Sequence, residues 1–246
     1  PDIGKGPEAA PLTVLLMPWG RVGSNMVNAA LTELHVKVFN EPLTGIHSRN
    51  ADQPVATIAD AQIAWLRDNL DAGALTRPAI LNHAAISTAD PGRMRDWIRM
   101  RQPRLILLDR RDDAAVALSS ARAEAWIAEG REKGEKRSWS ISRSVVFRPH
   151  IDPAILRRNL DILRKGRRIM LELAGDSPAL RLSYEDLMAD IEGAMTAILR
   201  HAGIPWGRFS IHTGRFGSDS LARMVANPDE LAAVIREDGG PTRLEI

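Results

Sequence analysis

The chain has 246 residues, 44% of them hydrophobic and 26% charged, which is the composition of an ordinary globular protein. Its formal net charge is only +2, so overall charge indicates no particular class of partner. The absence of cysteine excludes disulfide frameworks and cysteine-ligated metal sites. No apolar run approaches the ~20 residues of a membrane span, and no signal-peptide pattern is visible, so we expect a cytoplasmic location.

Strand-like apolar runs alternate with helical patterns along the whole chain. The predicted strands are residues 13–17, 36–40, 79–83, 104–109 and 180–184. The predicted helices are residues 25–34, 55–70, 91–101, 114–129, 153–174, 186–201 and 228–237. This alternation is typical of βαβ units and predicts a single α/β domain over residues 1–246, with a parallel sheet of about five strands and helices on both faces. In such sheets, ligands bind beyond the carboxyl ends of the strands.

The first predicted strand leads into a helix start through the sequence PWGRVGSNMVN. Gly20 and Gly23 let the backbone approach an anion, and the guanidinium of Arg21 matches the geometry of phosphate or sulfate oxygens. Ser24 and Asn25 add donors at a helix N-terminus, where unpaired N–H groups and the helix dipole favour negative charge. The segment predicts a site for a phosphorylated or sulfated ligand. A plain strand-to-helix turn that uses glycine for its geometry is the alternative.

Two candidate proton acceptors lie at the ends of the next two strands. Glu41 comes directly after the second predicted strand, where a carboxylate can take a proton from a substrate hydroxyl. An exposed loop glutamate before Pro42 is the alternative. His83 ends the third predicted strand and has an ordinary pKa near neutrality, but a lone histidine at such a position is more often structural. We therefore rank Glu41 above His83.

The fourth and fifth strands lead to candidate ligand contacts. Arg111 follows the fourth strand, and Ser119 lies about two helical turns further on, so the pair can bind a second anion. A helix N-terminus stabilised by Asp112 and Asp113 is the alternative. Tyr184, the chain's one tyrosine, ends the fifth strand and can contact a nucleobase or pack in the core.

Two segments are rich in basic residues. We expect residues 130–151, which are basic and poorly periodic, to form a mobile loop. Such runs are usually solvated faces, but they also suit an acidic substrate or an anionic surface. The basic residues of the two segments are Arg131, Lys133, Lys136, Arg137, Arg143 and Arg148, and then Arg157, Arg158, Arg164, Lys165, Arg167 and Arg168.

Taken together, four motifs resemble those of the sulfotransferases that use 3′-phosphoadenosine-5′-phosphosulfate (PAPS). RVGSNM resembles the family's 5′-phosphosulfate loop, and NEPL is similar to the Glu-Pro-Leu of carbohydrate sulfotransferases. LLDRRDDAAVALS resembles the 3′-phosphate motif, in which an arginine and a serine are eight residues apart. LSYEDL resembles the family's late Tyr-Glu-Asp-Leu. The motifs occur in the family's order over residues 12 to about 190, and the resemblance implies a P-loop-like, three-layer α/β fold.

The resemblance also implies roles for individual residues. Arg21 and the amides of Val22, Gly23, Ser24 and Asn25 would bind the 5′-phosphosulfate. Arg111 and Ser119 would bind the 3′-phosphate, and Tyr184 would border the adenine. Glu41 would be the base of the glycan-type enzymes, and His83 would match the histidine of the small-molecule type.

The chain also departs from the family's motifs. Val22 replaces the usual serine of the phosphosulfate loop, and Asn25 replaces a hydroxyl residue. Leu-Asn-His stands where the small-molecule enzymes have Lys-Thr-His. The family's C-terminal Arg-Lys-Gly loop is missing, and Arg215 is the candidate substitute for it.

The expected function is therefore sulfuryl transfer from PAPS to a hydroxyl, without a metal ion. We expect the acceptor to be a saccharide or glycolipid and expect no nucleic-acid partner. One rival is a P-loop kinase or NTPase, although the first loop lacks the lysine of a Walker A motif. The other is a non-catalytic protein that binds polyanions through the basic segments.

Overall fold

The structure is a computed structural model that describes residues 11–71, 75, 77–137, 146–207 and 220–239. Its five strands form one sheet in the order β2-β3-β1-β4-β5, and every neighbouring pair is parallel. The strands are β1 (Leu12–Met17), β2 (Lys37–Asn40), β3 (Ala79–Ala84), β4 (Arg104–Asp109) and β5 (Ala179–Ser183). The parallel five-stranded sheet confirms the fold class predicted from the sequence.

Helices connect the strands and continue beyond the last one. Within the described residues they are α1 (Ser24–Glu33), α2 (Pro42–Arg49), α3 (Val55–Leu70), α4 (Pro91–Arg101), α5 (Asp113–Glu132), α6 (Pro153–Ala174), α7 (Tyr184–Ala189), α8 (Ile191–Ala202), α9 (Leu221–Met224) and α10 (Pro228–Glu237). A 3₁₀ turn, Ala85–Ser87, follows β3. Among the described residues, no helix is both long enough and apolar enough to span a bilayer.

Strand β1 lies at the centre of the sheet, and all six of its residues are buried. Continuous apolar runs are typical of strands that are covered on both faces. From β1 the chain crosses to the edge strand β2 and returns through β3, whereas β4 and β5 lie on the other side of β1. The strand order therefore reverses between β1 and β4, and ligands of open α/β sheets bind beyond the carboxyl ends of the strands at such a point.

Two hydrophobic clusters cover the two faces of the sheet. On one face, Val14 and Leu16 of β1 pack with residues of α2, α3, α4 and the last turns of α6. On the opposite face, Leu15 and Met17 pack with residues of α1, α7 and α8. Alternate β1 residues thus serve alternate cores, as expected for helices on both faces.

The chain divides into two compact units. The first comprises residues 1–109 and 166–212, and the second comprises residues 110–165 and 213–246. The first unit contains the whole sheet. The second has its own core, in which Leu118 of α5 and Leu156 of α6 pack with Leu231 of α10. The single domain expected over residues 1–246 stays a prediction.

Three local expectations need correction. Residues after Glu41 form α2, which was not predicted, because Gly45 and only two buried side chains give this segment a weak helical pattern. The helix predicted over residues 186–201 is two helices, separated at Asp190. Helix α5 continues to Glu132, so the segment expected to be a loop from residue 130 begins later. Residues 138–145 lie outside the described residues.

Candidate active site

The loop between β1 and α1 has the backbone geometry of an anion site. Arg21 and Gly23 both have positive φ angles, 70° and 93°, and successive N–H groups in such conformations form concave anion-binding surfaces. Gly23 is the N-cap of α1 and has no side chain to cap the first-turn N–H groups, and this turn contains no acidic residue. The first N–H groups of a helix have no partner within it, and no carboxylate in the first turn of α1 offsets the positive end of the helix dipole. Both features favour an anion at this end of the helix.

Two separate observations explain glycine at position 23. Its φ of 93° is strained for any residue with a side chain. In addition, a Cβ placed there would lie 3.0 Å from Cδ2 of Tyr184 and 3.4 Å from Cδ1 of Leu187. The Tyr184 ring therefore packs directly against the loop, and a larger residue at position 23 would push the two apart.

A capping box holds Tyr184 in place. The side chain of Ser183 accepts from the N–H of Asp186 at 3.1 Å, and the carboxylate of Asp186 accepts from the N–H of Ser183 at 2.9 Å. Such reciprocal bonds satisfy the first N–H groups of a helix. Strand β5 ends at Ser183, so Tyr184 is the first residue of α7 and not, as predicted, the last residue of the strand. The SYEDL motif thus has a structural function beside the anion loop.

Glu41 lies where β2 ends and α2 begins, in the left-handed conformation with φ 52°. The hydroxyl of Thr44 donates to its Oε2 at 3.4 Å. Burial raises the pKa of Glu41, while the bond from Thr44 and the charge of Arg21 oppose this shift. A carboxylate with a raised pKa is a better proton acceptor near neutral pH than an exposed one.

Arg21 and Glu41 form an electrostatically coupled pair. Burial lowers the pKa of Arg21, and the charge of Glu41 partly offsets this effect. An arginine stays protonated in spite of such a shift. The anion loop and the carboxylate after β2 are therefore close enough to influence each other, although β3 lies between β1 and β2 in the sheet.

His83 is in a different environment. It lies inside β3 with 1% of its surface exposed, and its Nε2 is 2.6 Å from Oγ1 of Thr88. Burial lowers the pKa of His83 to about 4, so the imidazole is neutral at physiological pH. A substrate has no access to this side chain as it stands, whereas Glu41 is only half-buried.

Sequence reasoning missed three asparagines, one of which, Asn40, directly precedes Glu41. Asn28 of α1, Asn40 of β2 and Asn82 of β3 are joined by side-chain hydrogen bonds, and we call them the amide triad. The one available signal is Asn82, a polar residue inside the apolar run AILNHA. Their mutual contact depends on strand order, which the sequence does not state.

The start of the anion loop is in close contact with α6. A Cβ on Gly166 would lie 2.1 Å from the carbonyl oxygen of Pro18 and 2.8 Å from its carbonyl carbon. One residue later, Arg167 makes two hydrogen bonds to the carboxylate of Asp109, at 2.6 and 3.1 Å, where β4 ends. These contacts, which the sequence did not predict, join the last turns of α6 to the carboxyl ends of β1 and β4.

The candidate 3′-phosphate residues belong to the second unit. Arg111 is exposed and precedes α5, whereas Ser119 is half-buried within that helix. Asp112 is the N-cap, and its side chain accepts from the N–H of Ala115 at 2.9 Å. The helix start described as the alternative interpretation is therefore present, and binding of an anion by Arg111 and Ser119 stays a prediction. Arg215 lies outside the described residues.

Many of the basic side chains are engaged in ion pairs. Four of the six in the second basic segment bond to carboxylates, and two of those described in the first segment do so. The pairs are Arg157–Glu237, Arg158–Glu124, Arg164–Asp238, Arg167–Asp109, Lys133–Glu129 and Arg137–Glu135. This pairing reduces the positive charge available to an anionic surface, and contact with such a surface stays a prediction.

The fold resembles that of solved sulfotransferases. A sulfotransferase from Alicyclobacillus acidocaldarius superimposes with a TM-score of 0.51 at 14% sequence identity, covering 94% of this chain and 93% of that one. The sulfotransferase domain of the Synechococcus PCC 7002 olefin synthase gives 0.47 at 15% identity, with 97% and 83% covered. A mouse sulfotransferase complexed with PAP gives 0.42 at 13% identity, with 80% and 61% covered.

The Alicyclobacillus structure establishes the shared fold over nearly the whole of both chains. The other two TM-scores are below 0.5, so the fold assignment does not depend on them. No family model matches the chain. No curated protein matches it either.

Proposed function

We propose that the protein is a PAPS-dependent sulfotransferase that modifies a hydroxyl group. The observation that carries the proposal is the coupling of Arg21, in an anion loop after β1, to Glu41 at the end of β2. The guanidinium of Arg21 can bind a sulfated or phosphorylated ligand, and the carboxylate of Glu41 can take the proton from an acceptor hydroxyl. The resemblance of the fold to that of a solved sulfotransferase supports this combination.

The described residues fit the phosphate end of such a co-substrate. Residues 21–25 offer left-handed backbone, a helix N-terminus without acidic residues, and one guanidinium. By the resemblance of the motifs, Arg111 and Ser119 are assigned to the 3′-phosphate, and Tyr184 to the adenine. The packing of Tyr184 against Gly23 is compatible with a ring that borders a ligand held by the loop.

PAPS supplies the sulfuryl group, and the chain supplies positioning, charge and a proton acceptor. Glu41 accepts the proton of the acceptor hydroxyl, and its burial favours this step by raising its pKa. Arg21 stabilises the negative charge on the departing phosphate, since its guanidinium stays protonated. His83 is buried and bonded to Thr88, so we assign the proton transfer to Glu41 alone.

We propose that the acceptor is a hydroxyl compound of the saccharide or glycolipid class. A hydroxyl follows from the chemistry of Glu41, and the motif NEPL favours a saccharide or glycolipid. The rival kinase activity would require magnesium-ATP, which a loop without a Walker lysine is poorly equipped to bind.

The test is formation of adenosine 3′,5′-bisphosphate from PAPS with a panel of sugars, glycolipids and simple alcohols. We expect Glu41→Gln to lower kcat by about 10²–10⁴-fold while binding of adenosine 3′,5′-bisphosphate is retained. Glu192→Gln, an exposed change on α8, is the matched control and should leave turnover intact. Near wild-type turnover in Glu41→Gln, with binding retained, would contradict the assignment.

A further inference from the structure

The amide triad connects three elements beside the candidate base. Nδ2 of Asn82 donates to Oδ1 of Asn28 at 2.6 Å and, more weakly, to Oδ1 of Asn40 at 3.5 Å. Nδ2 of Asn28 donates to Oδ1 of Asn40 at 3.2 Å. Asn40 and Asn82 are also opposite each other in the β2–β3 register. The three bonds therefore close a triangle between α1, β2 and β3.

The triad strengthens a weakly held part of the sheet. Strand β2 has only four residues and lies at the edge, where it pairs with β3 alone. Asn40 is its last residue, and Glu41 follows immediately in a strained left-handed conformation. The position of the Glu41 carboxylate thus depends on how firmly the end of β2 is held, and Asn40 receives two of the triad's bonds.

The amides are not what core packing alone would favour. Asn82 is 0% exposed, and its Oδ1 has no hydrogen-bond partner among the described residues. An unsatisfied buried acceptor is destabilising, and an apolar pair of similar shape would avoid that cost. A directional polar network instead specifies one arrangement of its elements. Here the specified arrangement is that of the helix after the anion loop and the strand that precedes Glu41.

We propose that Asn28, Asn40 and Asn82 are positioning residues that hold the Glu41 carboxylate beside Arg21. The inference rests on the proposed function for its catalytic meaning, because it assigns the triad to the base of that reaction. Whether the triad holds the Glu41 carboxylate in place can be tested without substrate. Arg21 and Thr44 are the groups whose charge and hydrogen bond act on Glu41.

The first test is a ¹³C NMR titration of the Glu41 carboxyl group, identified by the signal that Glu41→Gln removes. In Asn82→Leu and Asn40→Ala we expect the raised pKa of Glu41 to fall toward that of an exposed glutamate. Burial is the largest cause of the shift, and a loosened strand end exposes the carboxylate. Asn40 is itself exposed, so Asn40→Ala keeps the test valid if Asn82→Leu does not fold.

Matched amide variants control for general loosening of the protein. Asn227→Leu removes a buried amide from the second unit, where it bonds to the backbone of Ile151 at 3.0 and 2.9 Å. Asn69→Ala removes a half-buried amide that bonds to Trp65 within α3. Neither should change the titration of Glu41. A titration of Glu41 that is the same in the triad variants as in the wild type would overturn the inference.

The second test is a double-mutant cycle on kcat. We expect Asn82→Leu alone to lower kcat about 10- to 100-fold, the effect of a small misplacement of a catalytic group. In the Glu41→Gln background it should cause little further loss, because a residue that acts through Glu41 has nothing left to position. Additive losses would contradict a positioning role. A wild-type protein that consumes no PAPS would refute the proposed function, while the NMR result would still decide the geometry.

Discussion

Arg21 and Glu41 adopt left-handed backbone conformations, and they are two of the four non-glycine residues with positive φ in the described part of the chain. Such conformations cost about 1–3 kcal/mol each and persist only where the surroundings impose them. The same two residues are electrostatically coupled. Strain and charge therefore coincide at the site that the motifs indicated. Neither φ angle could be predicted, because arginine and glutamate carry no local signal for this conformation.

The buried His83 makes the stability of the folded protein depend on pH. Its pKa is about 4 in the folded protein, against an ordinary value of 6.5, so between these values the unfolded chain binds more protons than the folded one. The contribution of His83 is complete above pH 6.5 and is lost as the pH falls toward 4. We expect a loss of about 3 kcal/mol over this window, measured by urea unfolding from pH 7 to 4.

The control separates His83 from the other groups that titrate in this range. His83→Gln should flatten the pH dependence between pH 6.5 and 4, since glutamine does not titrate. His150 is exposed, and His150→Gln should leave the curve unchanged. If wild type and His83→Gln lost stability in parallel, the buried neutral histidine would not be its source.

At the level of elements, helices with strong periodicity and clear ends could be predicted closely. Helices α3, α4 and α6 begin and end where their patterns do, because Pro or an N-cap marks the start and their apolar residues repeat at helical spacing. The residue Asp190 shows the limit of this approach. It ends α7 and caps α8 by accepting from the N–H of Gly193, so one periodic pattern contains two helices.

The capping box of α7 leads to a second prediction. Ser183→Ala removes the N-cap bond to Asp186 and should lower the free energy of unfolding by about 1 kcal/mol. Because α7 carries Tyr184 against Gly23, the variant should also bind adenosine 3′,5′-bisphosphate more weakly. Asp90→Ala removes the equivalent cap of α4 and should affect stability alone. Equal affinities in the two variants would argue against a role for α7 in the site.

Gly166 provides a third prediction. Alanine usually stabilises a helix interior by about 1 kcal/mol relative to glycine, but at this position its Cβ would lie 2.1 Å from the Pro18 carbonyl oxygen. We expect Gly166→Ala to destabilise the protein by about 1–3 kcal/mol, as overpacking does, and to weaken binding at the loop after Pro18.

Gly45→Ala is the matched control for the Gly166 variant. Its Cβ would meet only the flexible end of Arg49, at 3.1 Å, so this helical glycine should tolerate the change. Chemical unfolding of both variants provides the comparison. Equal stability of Gly166→Ala and wild type would show that α6 does not restrain the loop.

Across the whole molecule, the order of motifs predicted the fold, but the contacts between distant segments could not be predicted. The alternation of strands and helices sufficed for a parallel sheet with two covered faces. The amide triad and the packing of Gly166 on Pro18 each join residues more than 10 positions apart. They depend on strand order and helix placement, which no local pattern specifies. The division into two compact units could not be predicted either, since the second unit is assembled from two separate stretches of chain.

The most direct test of the proposed function is calorimetric titration of the protein with adenosine 3′,5′-bisphosphate, with ADP and magnesium-ATP as controls. We predict micromolar binding that requires the 3′-phosphate and needs no metal ion, because the loop offers a guanidinium and helix amides in place of a Walker lysine. Preference for magnesium-ATP, or no binding of any of the three nucleotides, would contradict the account.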